Sequence, residues 1–219
     1  MGEIRKLWIP GPAGRLEAAL RAACPSRGAA VLAHPHPLYG GTLHNPVIFH
    51  ADRELNRAGF TTLRFNFRGV GESDGVHDEG RGELGDWAAA AAWLRGMALE
   101  GPLLGVGFSF GSWTGLRHAV DDPTIAGFVA IGLPLRAFPW NDLARFARPV
   151  AVVQAEHDEF GAPGEVRPLL ESLEPRGTLR VVPGTSHLYP GRAPDAAREV
   201  VAAAEEVIRA GSARSAGDR

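Results

Sequence analysis

The sequence predicts an α/β fold: a mostly parallel central sheet with an antiparallel pair at its amino-terminal edge, helices on both faces and no cap domain. Three observations predict it. Six short runs rich in apolar and β-branched residues, AAVLAHP, TTLRFNFRG, LLGVGFS, IAGFVAIGLP, PVAVVQAE and TLRVVPG, recur from residue 29 onward, and runs that are apolar throughout read as strands buried on both faces. The segments between them mostly carry helical signals, and strand alternating with helix is the pattern of a parallel sheet. Ahead of them, EIRKLWIP and RLEAALRAA flank the turn-forming GPAG, which reads as a hairpin at a sheet edge.

Each element has a local cause. Ser26-Arg27-Gly28 breaks the chain after the hairpin and AAVLAHP begins the parallel set. Asn45-Pro46 fits a helix cap followed by proline at the first helical position, opening VIFHADRELNRAG, which Gly59 closes. After TTLRFNFRG, the alanine-rich ELGDWAAAAAWLRGM is a helix that ends before Gly101-Pro102. LLGVGFS runs directly into the helical SWTGLRHAV. Between IAGFVAIGLP and PVAVVQAE stands only LRAFPWNDLARFAR, room for one short helix and not for a cap. APGEVRPLLESL reads as the helix before TLRVVPG, and the amphipathic PDAAREVVAAAEEVIRAG is expected to stop at Gly211. Residues 1–211 are thus expected to form one domain, and SARSAGDR, 212–219, a disordered polar tail.

Composition narrows the function classes. With 219 residues, 45% of them hydrophobic, the chain can bury one sizeable core. Lys+Arg of 23 against Asp+Glu of 25 leaves a formal charge of −2, and no stretch interleaves basic residues with aromatics, so a nucleic-acid partner is not expected. No run reaches the roughly 18 uncharged apolar residues of a membrane span, and MGEIRKLWIPGPAG lacks a signal-peptide core. The expected compartment is the cytoplasm, with no membrane partner. Cys24, the single cysteine, cannot form an internal disulfide and reads as structural.

In an open parallel sheet the chemistry sits at the carboxyl ends of the strands. Two stretches match Gly-x-Ser-x-Gly, and only context separates them. GFSFG, with Ser109, follows an apolar strand and precedes a helix; GESDG, with Ser73, lies in a loop. A nucleophilic serine at such an elbow holds a strained backbone, and the residues two before and two after must be small enough for strand and helix to approach. Gly107 and Gly111 meet that requirement, so Ser109 is the candidate nucleophile and Ser73 a turn serine. A serine needs a base, and the base needs an orienting acid. His187, in GTSHLYPG, and Asp158, in EHDEF, each follow a strand, giving the chain order Ser, Asp, His of α/β-hydrolases. Glu156 is the main rival to Asp158, and Glu159 is close enough to compete.

Together HPHPLYGG, RFNFRGVGESDG, GFSFGS, EHDEF and GTSHLYP, spread from about Ala29 to Pro190, resemble the small lidless α/β-hydrolases described as hydrolases or esterases. The pairing of RFNFRGVG with GFSFG is the most specific part. The resemblance implies a Ser-Asp-His triad on an α/β-hydrolase core, working without a cofactor on a small-molecule ester or other acyl substrate. One departure stands out: the family's acid strand usually ends in Gly-Asp or Gly-Glu, whereas Ala155-Glu156-His157 precedes Asp158 here.

The missing cap predicts an open cleft suited to small acyl groups, with Tyr39, Phe138 and Trp140 as candidate substrate-binding residues. Arg68, Glu72 and Asp74 read as structural charges paired within their loop, with Glu83 or Asp86 as partners. HPHP admits two chemistries. His34 and His36 could be metal ligands two residues apart, but no acid or cysteine stands beside them, and no metal is expected. Acyl transfer instead needs two main-chain N–H groups aimed at the developing oxyanion, one from Phe110, after the nucleophile, and one from the loop after the strand that ends at Ala33. Proline has no N–H, so between Pro35 and Pro37 only His36 can donate. The main chain of His36 is therefore the predicted donor, its imidazole dispensable, with Gly40-Gly41 letting the loop fold back. Ester hydrolysis leads, thioester and amide hydrolysis are alternatives, and a non-catalytic binding module on the same fold is the remaining rival.

Overall fold

Eight strands form one sheet. In chain order they are β1 (Ile4–Gly11), β2 (Gly14–Arg21), β3 (Ala29–Ala33), β4 (Thr61–Phe65), β5 (Leu103–Phe108), β6 (Ile125–Ile131), β7 (Val150–Ala155) and β8 (Thr178–Val182). Across the sheet the order is β1-β2-β4-β3-β5-β6-β7-β8. The β1–β2 and β2–β4 pairs are antiparallel and every other pair is parallel. The structure, a computed structural model, describes residues 2–175 and 177–217, with Asp142 and residues 214–217 described by backbone alone.

Apolar runs become two-sided strands because successive side chains point to opposite faces. In β3, Ala29, Val31 and Ala33 join one hydrophobic layer while Ala30 and Leu32 join the other. The first layer is covered by α2 (Gly82–Arg95), α3 (Phe110–Asp121) and α4 (Pro163–Glu171), through Trp87, Leu94, Trp113, Leu116, Val166 and Leu170. The second is covered by α1 (Pro46–Arg57) and α5 (Ala193–Gly217), which also pack on each other. Asn45 Oδ1 accepts from the Val47 N–H at 3.0 Å, with Pro46 at the first helical position, as the sequence predicts. Between β6 and β7 the only helical piece is a 3₁₀ turn, Asn141–Arg145, so no cap stands over the strand ends.

The last helix differs from expectation. It passes Gly211 and continues to Gly217. A helical glycine costs only about 1 kcal/mol relative to alanine, and the Ser212 hydroxyl donates to the Ile208 carbonyl one turn back. Residues 212–217, expected as a disordered tail, therefore extend α5; Asp218 and Arg219 lie outside the described residues.

The sheet places the site. The chain leaves β3 toward β4 on one side, and β5 enters on the other, so the loops after β3 and β5 diverge at their carboxyl ends and open a crevice. Cys24 lies exposed in the β2–β3 connection, at the opposite end of the parallel strands.

Candidate active site

Ser109 occupies the one-residue turn between β5 and α3 with φ 54° and ψ −115°, a conformation an L-residue adopts only when its surroundings enforce it. Close packing on both sides enforces it here. A Cβ on Gly107 would lie 2.3 Å from the Gly111 carbonyl oxygen, and one on Gly111 would lie 2.5 Å from the Ala33 carbonyl oxygen. The Ser109 N–H donates to the Ile131 carbonyl at 2.8 Å, tying the turn to β6.

The loops after β7 and β8 bring the other two predicted residues to it. Ser109 Oγ lies 2.8 Å from His187 Nε2, and His187 Nδ1 lies 2.8 Å from Asp158 Oδ2. A carboxylate only accepts, so His187 Nδ1–H donates to Asp158 and Nε2 is left to accept from the serine hydroxyl. His187 and Asp158 are each 3% exposed. Asp158 Oδ1 also accepts from the Phe160 N–H at 3.0 Å, and the edge of Phe160 packs on the His187 ring at 4.7 Å. Glu159 Oε2 accepts from the His187 main-chain N–H at 3.2 Å. The rival Glu156 points elsewhere, accepting from the Gly184 N–H at 2.7 Å. A hydroxyl bonded to a neutral imidazole, itself held by a carboxylate, can lose its proton as it attacks an electrophile.

The β3 loop supplies the facing wall. His34 is fully buried; its Nδ1–H donates to the Pro35 carbonyl at 2.6 Å and its Nε2 accepts from the Phe67 N–H at 3.1 Å. Burial pushes its pKa down to about 4. The His36 ring accepts from the Leu38 N–H at 3.2 Å, and its carbonyl accepts from the N–H groups of Tyr39 and Gly41. That fold-back requires Gly41, where a Cβ would lie 2.1 Å from the Pro35 carbonyl oxygen. Burial, then the neighbouring His77, hold the His36 pKa below its ordinary value. Among the described residues, neither the His36 nor the Phe110 main-chain N–H has a protein acceptor.

A clamp absent from the sequence reading fixes this loop. Asn66 Oδ1 takes the Leu43 N–H at 2.7 Å, and the buried Arg64 guanidinium donates to the Leu43 carbonyl. Asp52, also buried, pairs with Arg64 at 3.2 Å and with Arg21 at 3.1 Å. The alternation of RFNF was the available signal, since it turns Arg64, in β4, and Asn66, just after its end, to the same side of the chain.

Ser109, His187, His36, Tyr39, Phe138 and Phe160 line a cleft of about 550 Å³. Tyr39 and Phe138 are both part of its wall, with Phe138 stacked on Trp113 at 4.3 Å. Trp140 does not line the cleft. Its ring packs against the core and its indole N–H reaches the Pro134 carbonyl at 3.4 Å, because an indole half-buried in a protein seeks both an apolar bed and an acceptor. Phe160 was missed, although it stands two residues after Asp158. The loop charges are structural: Arg68 pairs with Asp86 at 2.8 Å, Glu72 with Lys6 at 2.7 Å, and Asp74 accepts from the Arg15 N–H at 2.8 Å. Glu83 pairs with His77, not with that loop's arginine. Ser73 is buried, its hydroxyl donating to the Asn66 carbonyl and accepting from the Glu17 N–H, each at 2.9 Å. Among the described residues no group of three His, Cys, Asp or Glu side chains converges as metal ligands would.

Comparison with known proteins agrees with this architecture. Residues 36–151 match the family model of the alpha/beta hydrolase fold. A Xanthomonas campestris protein described as an a/b serine hydrolase without lid is 33% identical, with a TM-score of 0.85 and coverage of 94% of this chain and 95% of that one. An alpha-beta serine hydrolase homologue from Coxiella burnetii is 29% identical, with a TM-score of 0.81 and coverage of 92% and 97%. An uncharacterised Rickettsia prowazekii protein is 32% identical over 195 residues, 84% of this chain and 82% of that one.

Proposed function

The chain belongs to the α/β-hydrolase family, and from that premise we propose that it is a serine hydrolase that cleaves small carboxylic esters through an acyl-enzyme. The observation that carries this reading is the buried line of hydrogen bonds from Ser109 through His187 to Asp158, 2.8 Å at each step. Ser109 Oγ attacks the ester carbonyl carbon as its proton passes to His187 Nε2, and Asp158 stabilises the imidazolium that forms. The carbonyl oxygen gains the negative charge, and the N–H groups of Phe110 and His36 receive it. Collapse expels the alcohol, which takes the proton from His187. Water, deprotonated by the same imidazole, then releases the acid and restores Ser109.

An open cleft of about 550 Å³ with aromatic walls and no cap supports a small ester over a long-chain one. Ser109→Ala and His187→Ala should each lower kcat for ester hydrolysis by about 10³-fold or more with the fold retained. Full activity of either variant, checked by circular dichroism and a short-chain ester assay, would contradict the assignment.

A further inference from the structure

A second cavity, of about 680 Å³, shares His36, Tyr39 and Phe138 with the Ser109 cleft and so adjoins it. Leu38, Val76, His77, Glu79 and Phe110 complete its wall. Its apolar lip is open, with Leu38, Tyr39 and Val76 exposed by 68, 86 and 76%. His77 Nδ1 lies 2.8 Å from Oε1 of Glu83, which is fully buried.

Among the described residues the acids that line the two cavities face no lysine or arginine in either lining. Glu159 lines the first cavity and Glu79 the second, while Asp158 stands behind His187 and Glu83 behind His77. Nearby arginines are engaged with acids: Arg81 with Asp78 and Glu79, Arg68 with Asp86, and Arg136 with Glu165. A cleft walled by carboxylates and ring faces attracts cations, tolerates neutral groups and repels anions.

We propose that the two cavities form one substrate cleft that admits uncharged and cationic acyl donors and turns away anionic ones, with the second cavity holding the part of the donor remote from the scissile carbonyl. The inference rests on the serine-hydrolase reading and narrows it, because it excludes acyl carriers that bear phosphates.

Three thioesters of similar leaving thiols separate the charge types: acetylthiocholine, S-acetyl-N-acetylcysteamine and S-acetyl-2-mercaptoethanesulfonate. Thiol release is followed at low and high salt, each rate normalised to hydroxide-catalysed hydrolysis of the same thioester. At low salt kcat/KM for the anion should fall below that of the neutral member by roughly three- to tenfold, the gap closing with salt, and the cation should equal or exceed the neutral member. Val76→Arg, which sets a cation at the second cavity, should raise the anion-to-neutral ratio severalfold. In parallel, a small neutral fluorophosphonate reports whether Ser109 reacts at all. A protein whose Ser109 reacts but which turns over the anionic thioester as fast as the neutral one, or none of the three, contradicts the inference and leaves the serine-hydrolase reading in place. An unreactive Ser109 overturns both.

Discussion

A serine hydroxyl becomes a nucleophile only through its neighbours, and the predictions at residue scale separate side chains that touch the chemistry from those that hold the frame. His36 is the sharpest case, because the account assigns its role to the main chain. His36→Ala should keep kcat/KM within roughly tenfold of wild type, whereas His36→Pro, lacking the N–H, should lose about 10²- to 10³-fold if folded. Equal loss in both variants would put the imidazole into the mechanism. Ser73, the second Gly-x-Ser-x-Gly serine, is expected to act on stability alone. Ser73→Ala removes a buried hydroxyl and takes that partner from the Asn66 carbonyl and the Glu17 N–H, and should lower unfolding free energy by about 1–3 kcal/mol in urea titrations, with activity within a few-fold. His34 links pH to stability. Its folded pKa of about 4 lies below the unfolded value of about 6.5, so the unfolded chain gains a proton first as pH falls. The stabilisation is whole above pH 6.5, declines as pH drops toward 4, and its loss totals about 3 kcal/mol. In urea unfolding, the advantage of wild type over His34→Gln should therefore narrow between pH 7.5 and pH 5, and a constant advantage would contradict it. Ser109, Asp158 and His187 were legible because each follows its own apolar strand. Trp140 was misread because a side chain's direction in an irregular loop follows from contacts that no local pattern encodes.

At the scale of elements, the strand–turn–helix around Ser109 depends on backbone contacts that leave no space for a methyl group. Gly107→Ala and Gly111→Ala should each destabilise the protein by several kcal/mol or abolish folding, since the clashing atoms belong to main chain on β3 and α3. Gly164 in α4 is the internal control: nothing lies within 4 Å of a Cβ there, and Gly164→Ala should raise stability by about 0.5–1 kcal/mol. Thermal unfolding of the three variants checks the contrast, and a tolerated Gly111→Ala would show that β3 and α3 are less closely apposed. The parallel strands β3, β5, β6 and β7 were visible in the sequence because burial on both faces leaves apolar runs, whereas the largely exposed β1 and β8 were visible from the GPAG turn that joins β1 to β2 and from the β-branched residues of TLRVV. The end of α5 was not, since glycine and serine inside a helix differ from a terminus by only about 1 kcal/mol. The second cavity was equally hidden. Val76, His77 and Glu79 come from a loop between β4 and α2 with no periodic pattern, brought to His36 by tertiary packing alone.

For the molecule as a whole, the 18 residues between β6 and β7 hold one 3₁₀ turn, so among the described residues no cap closes over the cleft. Short acyl esters should be hydrolysed faster than those of about twelve carbons or more, with no jump in rate above the substrate's solubility limit. A strong long-chain preference would require an apolar tunnel that the open cleft does not provide. The same openness leaves Ser109 reachable by a small electrophile without rearrangement. Mass mapping after reaction with a neutral fluorophosphonate therefore tests the central claim most directly. The account predicts one adduct, on the peptide carrying Ser109, and no adduct in Ser109→Ala; a stable adduct on another residue, or none on the folded wild-type protein, would contradict it.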